Sequence, residues 1–231
     1  MDSGSTWPLI NFPGGKYFED NKNILLRDAI RASTAAPTFF ICEELEVKKN
    51  EIGKFVDGGV SMYNNPAMLL FMLATIKGFK LNWKTGKNNL LLASIGTGIF
   101  KPKVDVDDVR DDALYWGTTL PGSFMYDATL QNQLMLQFLS YCPTRIVIDS
   151  EIDDMKDDLL SSEPLQTYLR YNVRLEEEFF KKDLGLKDDY DIKSLRKMDE
   201  VKNYDTLEKL GNIGAEKFMD EKHFAKEFDL K

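Results

Sequence analysis

Apolar residues recur at helical intervals in four stretches of the chain, and each stretch predicts a helix. The stretch at 24–32 places its apolar residues on one face. The stretch at 66–77 is apolar nearly all round, which indicates a buried helix that begins at Pro66. Longer stripes predict a largely buried helix at 123–141 and a closing amphipathic helix at 203–221.

Runs of apolar and β-branched residues predict four strands, at 7–12, 54–56, 88–95 and 145–148. The run at 88–95 is continuous rather than alternating. Such a run is typical of a strand in a sheet that is covered on both faces. The chain is therefore expected to bury a sheet between other elements.

The composition is that of an ordinary soluble globular protein. The 231 residues are 43% apolar and 29% charged, with a formal net charge of −8. This acidic balance argues against nucleic-acid binding, which rewards clustered Lys and Arg, whereas it leaves contact with a membrane surface open. Because residues 151–231 are more charged and less apolar, they are expected to form a helical part distinct from residues 1–150.

Neither cysteine shows a metal or redox spacing. Cys42 and Cys142 are far apart in the sequence, and both are expected to be reduced and packed in the interior. No apolar stretch approaches the roughly 18 residues that a membrane span needs, and the polar residues 1–5 do not resemble a signal peptide. The sequence predicts no cofactor and no metal site, and it does not indicate a compartment.

The clearest candidate for chemistry is Asp57, which directly follows the predicted strand at 54–56. Gly58 and Gly59 come next, and two glycines permit unusual backbone conformations that can aim a carboxylate into a site. Asp-Gly is also the strongest short signal for a hairpin turn, which is the alternative interpretation. Upstream, the small residues of 32–37 allow close backbone approach before Pro37 prevents further helix.

Three other loops invite a ligand interpretation. Residues 13–16 contain two glycines and are expected to form a simple turn. Residues 96–98 form a Gly-Thr-Gly loop after the strand at 88–95, which is a candidate phosphate cradle, although the spacing of a nucleotide-binding loop fails. The acidic run at 104–112 invites a calcium interpretation, but it lacks the glycine and glutamate of an EF-hand and favours a helix start.

Three segments together resemble the patatin-like phospholipase family: A-I-R-A-S-T-A-A-P-T-F-F at 29–40, F-V-D-G-G at 55–59 and S-I-G-T-G at 94–98. The resemblance implies a three-layer α/β/α fold with a mostly parallel sheet. It also implies hydrolysis of lipid acyl esters by a serine–aspartate dyad. Asp57 then corresponds to the dyad base, Gly58 and Gly59 support its loop, and residues 94–98 shape the floor near the active site.

Two parts of the family's pattern do not occur in these residues, namely a glycine-rich oxyanion loop and a G-x-S-x-G motif with the nucleophile. Ser33, Ser61 and Ser94 do not lie on such an elbow. The dyad needs no histidine, and His223 lies in the charged tail. The resemblance therefore implies that 1–150 is the back part of a catalytic domain, truncated at its N-terminus.

Residues 151–231 are then a helical C-terminal extension, and the segment at 164–173, which contains Arg170-Tyr171-Asn172, also resembles C-terminal halves of the family. We expect a lipid acyl hydrolase whose serine is absent, so that this chain alone is inactive. The expected partners are a lipid or acyl-ester substrate, a membrane surface in peripheral contact, and a missing N-terminal segment or partner chain.

Two alternatives remain open at this stage. One is a degenerate patatin-like module that binds lipid or acts as a scaffold without catalysis. The other is an unrelated α/β domain that binds phosphate through residues 96–98.

Overall fold

The computed structural model describes residues 6–102 and 109–229. In these ranges helices and strands are mixed along the chain, and one of the two sheets is parallel, which confirms the α/β class. The helices are α1 (Phe18–Asn21), α2 (Leu26–Ser33), α3 (Ala67–Thr75), α4 (Ala113–Leu139), α5 (Glu177–Lys182), α6 (Ile192–Leu195) and α7 (Tyr204–Phe218), and the strands are β1 (Glu43–Lys48), β2 (Glu51–Phe55), β3 (Leu91–Ile95) and β4 (Thr167–Tyr171).

The chain divides into two compact units. The first unit comprises the described parts of residues 1–84 and 104–135, and the second comprises those of residues 85–103 and 136–231. This division follows compactness alone. The assignment of two domains at 1–150 and 151–231 therefore stays a prediction.

β1 and β2 form an antiparallel hairpin in the first unit, with Glu43 opposite Phe55. The chain reverses at Asn50, whose φ of 66° lies in the left-handed region that asparagine tolerates well. α2 packs against this hairpin, so the segment before β1 is fixed to the strands that lead to Asp57. The small core between them consists of Ala32, Leu45 and Val47, with Leu9, Ile24 and Phe55 around it.

β3 and β4 form a parallel pair in the second unit, in register from Leu91 opposite Thr167 to Ile95 opposite Tyr171. β4 is almost entirely buried, whereas Ile95 of β3 is exposed. The expectation of a sheet covered on both faces is thus wrong for the end of β3. The helices α5, α6 and α7 surround a separate apolar cluster, which consists of Leu175, Phe179, Phe180, Leu184, Leu195 and Leu210.

The predicted strand at 7–12 is wrong, because the described residues of this segment form no strand. Its side chains pack against the hairpin instead of its backbone pairing with another strand. The rings of Trp7 and Phe55 lie 6.0 Å apart in an edge-to-face arrangement, and Leu9 contacts the small core. The next prediction is confirmed, since residues 13–16 form a turn in which Gly15 N–H donates to the Phe12 carbonyl.

The predicted strand at 145–148 is also wrong. Here a side chain binds both backbone groups of Ile146, which a strand ladder would have used. The Ile146 N–H and carbonyl are both bound by the Gln137 side-chain amide. The Arg145 guanidinium meanwhile donates to the carbonyl oxygens of Gln137, Ser140, Asp154 and Met155.

The part from residue 151 onward is not purely helical, because β4 lies within it. The segment that contains Arg170 and Tyr171 is therefore a buried strand, which ends just before Asn172. The closing amphipathic helix is confirmed as α7, where Leu210 is buried in the second unit's core and Leu207 and Ile213 pack against it.

The remaining helices differ from prediction mainly in their ends and exposed faces. α2 is confirmed, but Leu26 and Ile30 on its apolar face are exposed. α3 ends at Thr75 rather than at Gly78, and it buries three positions while Leu70 is exposed. α4 begins about three turns earlier than predicted and includes Pro121.

Candidate active site

Asp57 follows a strand as predicted, but β2 ends at Phe55, one residue earlier than predicted, and Asp57 caps a short 3-10 turn at Gly58–Val60. Its backbone N–H donates to the carbonyl of Ala35 at 3.0 Å. Ala35 is buried, and its small side chain allows the two backbones to approach closely. The small-residue segment and the Asp-Gly-Gly segment are thereby brought into direct contact.

The Asp57 carboxylate is half-buried and is oriented by its own loop. Its Oδ1 accepts a hydrogen bond of 2.5 Å from the Gly59 N–H. Within residues 6–102 and 109–229, nothing donates to Oδ2. The hairpin-turn interpretation is wrong, since the β1–β2 hairpin turns at Asn50 and Asp57 follows its second strand.

The two glycines after Asp57 play different roles, and neither has the positive φ that sequence reasoning expected. A Cβ at Gly59 would lie 2.8 Å from Asp57 Oδ1 and 3.1 Å from Asn64 Oδ1. At Gly58 a Cβ would meet nothing within 4 Å. A side chain at position 59 would therefore collide with the Asp57 carboxylate, whereas position 58 has room for one.

Polar side chains of α4 fix the chain that follows the Asp57 loop. Asn64 Nδ2 donates to Thr129 Oγ1 at 3.0 Å, and Asn132 Nδ2 donates to the Met62 carbonyl at 2.6 Å. Thr129 and Asn132 are both buried. Sequence reasoning missed these residues, because an amide and a hydroxyl within an apolar helical stripe do not reveal their partners.

The three serines considered from the sequence occupy different settings. Ser61 donates its hydroxyl proton to the Gly58 carbonyl at 2.6 Å and accepts from the Tyr63 N–H. Ser94 lies within β3, and its hydroxyl oxygen accepts a hydrogen bond of 2.7 Å from the Arg170 guanidinium. Burial lowers the pKa of Arg170. Ser33 is the exposed last residue of α2. None of them lies on a strand-to-helix elbow.

The Gly-Thr-Gly loop of the second unit uses its N–H groups internally. Gly96 N–H donates to the Tyr171 carbonyl at 2.8 Å, and Gly98 N–H donates to Asn172 Oδ1 at 2.9 Å. Ile99 N–H donates to the Val173 carbonyl. These bonds argue against the phosphate-cradle interpretation, because a cradle needs free N–H groups that point at the anion.

His223 is paired with Tyr171 rather than placed in a triad. Its Nδ1 lies 2.8 Å from the Tyr171 hydroxyl. The pKa of Tyr171 is raised, first by burial and then by the charges of Asp220 and Cys142. Sequence reasoning missed this pair, because His223 lies in a charged stretch that gives no sign of a buried partner.

The cysteines are both free, but only one is packed. Cys142 is buried, and burial raises the pKa of its thiol to about 11. Cys42 is exposed, so the expectation that it is packed is wrong.

The acidic run at 104–112 lies partly outside the described residues, which resume at residue 109. Within the described part, Asp112 Oδ1 accepts from the Tyr115 N–H at the start of α4, which agrees with a helix start. No group of three or more His, Cys, Asp or Glu side chains among the described residues is arranged to hold a metal ion. Nor does any helix there combine the length and apolar character of a membrane span.

Comparison with known proteins gives one positive result. A search of curated proteins finds no match to this chain, and a search of solved structures finds none either. The family model for patatin-like phospholipases matches residues 11–71, which include the small-residue segment and the Asp57 loop. The resemblance drawn from residues 94–98 and 164–173 lies beyond the match and stays an expectation. Over residues 11–71, the likeness of this chain to the patatin-like phospholipases is confirmed.

Proposed function

We propose that the chain is part of a lipid acyl hydrolase in which Asp57 is the base of a serine–aspartate dyad. The observation that carries this proposal is the hydrogen bonding of the two carboxylate oxygens of Asp57. One oxygen is held by Gly59, while the other has no hydrogen-bond partner among the described residues. A base needs a fixed orientation and a free oxygen that can accept a proton.

In this mechanism the serine hydroxyl oxygen attacks the ester carbonyl as Asp57 Oδ2 takes its proton. The tetrahedral oxyanion collapses, the C–O bond to the alcohol breaks, and the alcohol leaves with the proton from Asp57. Water then attacks the acyl-enzyme as Asp57 takes its proton. The C–O bond to the serine breaks, the serine oxygen recovers that proton from Asp57, and the fatty acid is released. Oxyanion donors are needed in both steps, and they are often the largest source of rate enhancement.

The nucleophile and the oxyanion loop are proposed to come from a segment or partner chain outside these 231 residues. No G-x-S-x-G occurs in the sequence, and Ser61 already donates to a backbone carbonyl. We therefore expect this chain alone to be inactive. The same segment would add strands beside β3 and β4 and complete a three-layer fold, since purely parallel sheets have both faces covered.

The test is to read the coding sequence upstream of Met1 in frame and to assay the extended protein on a chromogenic fatty-acyl ester. Asp57→Asn should lower kcat by roughly 10²- to 10⁴-fold, because general-base catalysis contributes that much. Glu51→Gln, which removes an exposed carboxylate at the start of β2, the strand that leads to Asp57, is the matched control and should leave kcat unchanged.

Two results would contradict the proposal. Equal activity in Asp57→Asn and Glu51→Gln would remove Asp57 from the chemistry. An extended protein that binds lipid without hydrolysing the ester would support the non-catalytic lipid-binding or scaffolding module.

A further inference from the structure

The first three turns of α4, residues 113–124, are an uncharged helix with an exposed aromatic face. No charged residue occurs from Ala113 to Tyr126. Trp116, Leu120 and Phe124 recur at every fourth position, so they lie on the same side of the helix. All three are exposed, and Phe124 exposes 63% of its surface. Water-facing helices usually carry charges opposite their apolar face, and this one does not.

Two hydroxyls of this segment already hold hydrogen bonds within the helix. Thr118 Oγ1 donates to the carbonyls of Leu114 and Tyr115, and Ser123 Oγ donates to the Thr119 carbonyl. A hydroxyl that keeps its hydrogen bond costs little to remove from water. The hydroxyls of Thr118 and Ser123 can therefore enter a less polar environment with their hydrogen bonds intact.

The same helix is anchored at its other end to the chain that follows Asp57. Thr129 and Asn132 bind Asn64 and the Met62 carbonyl. The uncharged turns thus belong to the helix that fixes the loop of the candidate base. A surface that contacts lipid at this place would deliver substrate to the unit that holds Asp57.

We infer that residues 113–124 bind the surface of a lipid layer that carries no net negative charge, such as phosphatidylcholine. Trp, Tyr and Phe favour the boundary between hydrocarbon and water, where their rings are buried and their polar groups stay wet. Helices that bind anionic membranes instead carry Lys and Arg on the polar face. Here the flanking charges are mostly acidic, namely Asp111, Asp112 and Asp127 beside Arg110. An anionic surface would therefore repel this segment.

The inference deepens the proposed function, because it names the kind of lipid that the hydrolase contacts. It is tested with the 231-residue chain. Trp7→Phe and Trp83→Phe leave Trp116 as the single tryptophan of the sequence. The protein is then mixed with vesicles of phosphatidylcholine alone, or of phosphatidylcholine with an equal amount of phosphatidylserine. Trp116 emission should shift to shorter wavelength with the first vesicles and much less with the second.

Phe124→Glu should weaken partition onto phosphatidylcholine vesicles at least about tenfold, since it removes a large apolar contact and adds a charge. The matched control is Val201→Glu, which adds the same charge at an apolar residue of the second unit that exposes 84% of its surface. Far-UV circular dichroism of both variants checks that the fold is retained, as expected for exposed positions.

Three results would overturn the inference. They are tighter binding to the anionic vesicles, equal binding by the Phe124→Glu and Val201→Glu variants, or a dimer in light scattering that Phe124→Glu dissociates. The last result would assign this face to a second copy of the chain. The outcome is separate from that for the dyad, because Asp57→Asn should leave vesicle partition of the 231-residue chain unchanged, while it lowers ester hydrolysis by the extended protein.

Discussion

Two glycine-containing loops follow strands in this molecule, one after β2 and one after β3, and in both a glycine makes room for a polar side chain. At Gly59 the space is filled by the carboxylate of Asp57, two residues away. At Gly96 it is filled by the amide of Asn172, which comes from the end of β4. In the first loop the glycine contacts a residue that is close to it in the sequence, whereas in the second it contacts a residue that is distant in the sequence.

The hydrogen bonds of the two loops differ in what they leave available. The Asn172 amide oxygen accepts from the N–H groups of both Gly98 and Val173, so this side chain joins the ends of two strands. At Asp57 one carboxylate oxygen accepts from Gly59, and the other accepts from no group in the part of the chain that the structure describes. The two loops look alike in sequence, yet the side chain that fills the second joins two strands, whereas the one that fills the first is held through a single oxygen.

The largest effect that distinguishes the loops is expected at Gly96. In Gly96→Ala, the added Cβ would lie 2.4–2.5 Å from three atoms of the Asn172 side chain, so that side chain must move and lose its bonds. We expect a loss of about 3 kcal/mol in the free energy of unfolding, which is at the upper end for overpacking. Urea denaturation followed by circular dichroism measures it.

The double variant Gly96→Ala with Asn172→Ala is the control for that prediction. It removes the clash while it keeps the added methyl group. If overpacking is the cause, the second substitution should restore part of the stability. A double variant whose loss equals the sum of the two single losses would contradict this explanation.

The surroundings of the second loop should also lose stability in alkali. The pKa of Cys142 is 9.0 ordinarily and about 11 in the folded protein, so the folded state holds this proton more tightly than the unfolded state. The stabilisation is complete below pH 9 and disappears as the pH rises to 11, with a loss of about 2 kcal/mol. Tyr171, whose pKa is also raised by burial, changes stability in the same direction.

Unfolding curves between pH 8 and pH 11 measure this effect. In Cys142→Ala the free energy of unfolding should decrease less over that range. In Cys42→Ala, which removes an exposed thiol, it should decrease as much as in the parent protein. A parallel fall in all three proteins would assign the alkaline loss to other groups.

The smallest change in stability is expected at the first loop, where function should be the more sensitive property. Gly59→Ala forces the Asp57 carboxylate away from the Gly59 N–H and should cost about 1 kcal/mol, the typical value of one hydrogen bond. Gly58→Ala meets nothing and has no positive φ, so it should be neutral or slightly stabilising.

Equal losses of stability in Gly59→Ala and Gly58→Ala would contradict the assigned contact between position 59 and the Asp57 carboxylate. In an extended protein that carries the serine, Gly59→Ala should lower kcat while Gly58→Ala should not. Loss of activity in both variants would mean that the loop as a whole, rather than the position of the carboxylate, matters.

Local features of the fold could be predicted from the sequence, because they depend on residues close together in the chain. Helical periodicity predicts α7 and α2. An apolar run that stops before Asp57 and two glycines predicts that Asp57 follows a strand. The physical role of those glycines could not be predicted. Gly59 serves by its missing side chain, while the backbone conformation is ordinary.

Features that depend on distant partners were missed. β4 lies in a stretch whose surroundings are charged, and its pairing with β3 is not visible in either segment alone. Conversely, residues 145–148 have the composition of a strand, but the Gln137 side-chain amide binds both backbone groups of Ile146, which a ladder would need. The contacts of Thr129 and Asn132 with the chain after Asp57 were missed for the same reason.

The parallel register of β3 and β4 has a consequence for the order of folding. Leu91 must find Thr167 across a long intervening segment, and the entropy of closing such a loop slows non-local pairing. The β1–β2 hairpin closes through a short turn and needs no such search. In pulse-labelling hydrogen exchange, amides of Glu43–Phe55 should become protected before those of Leu91–Ile95, so the segment that places Asp57 would be in position while the other sheet is still unpaired.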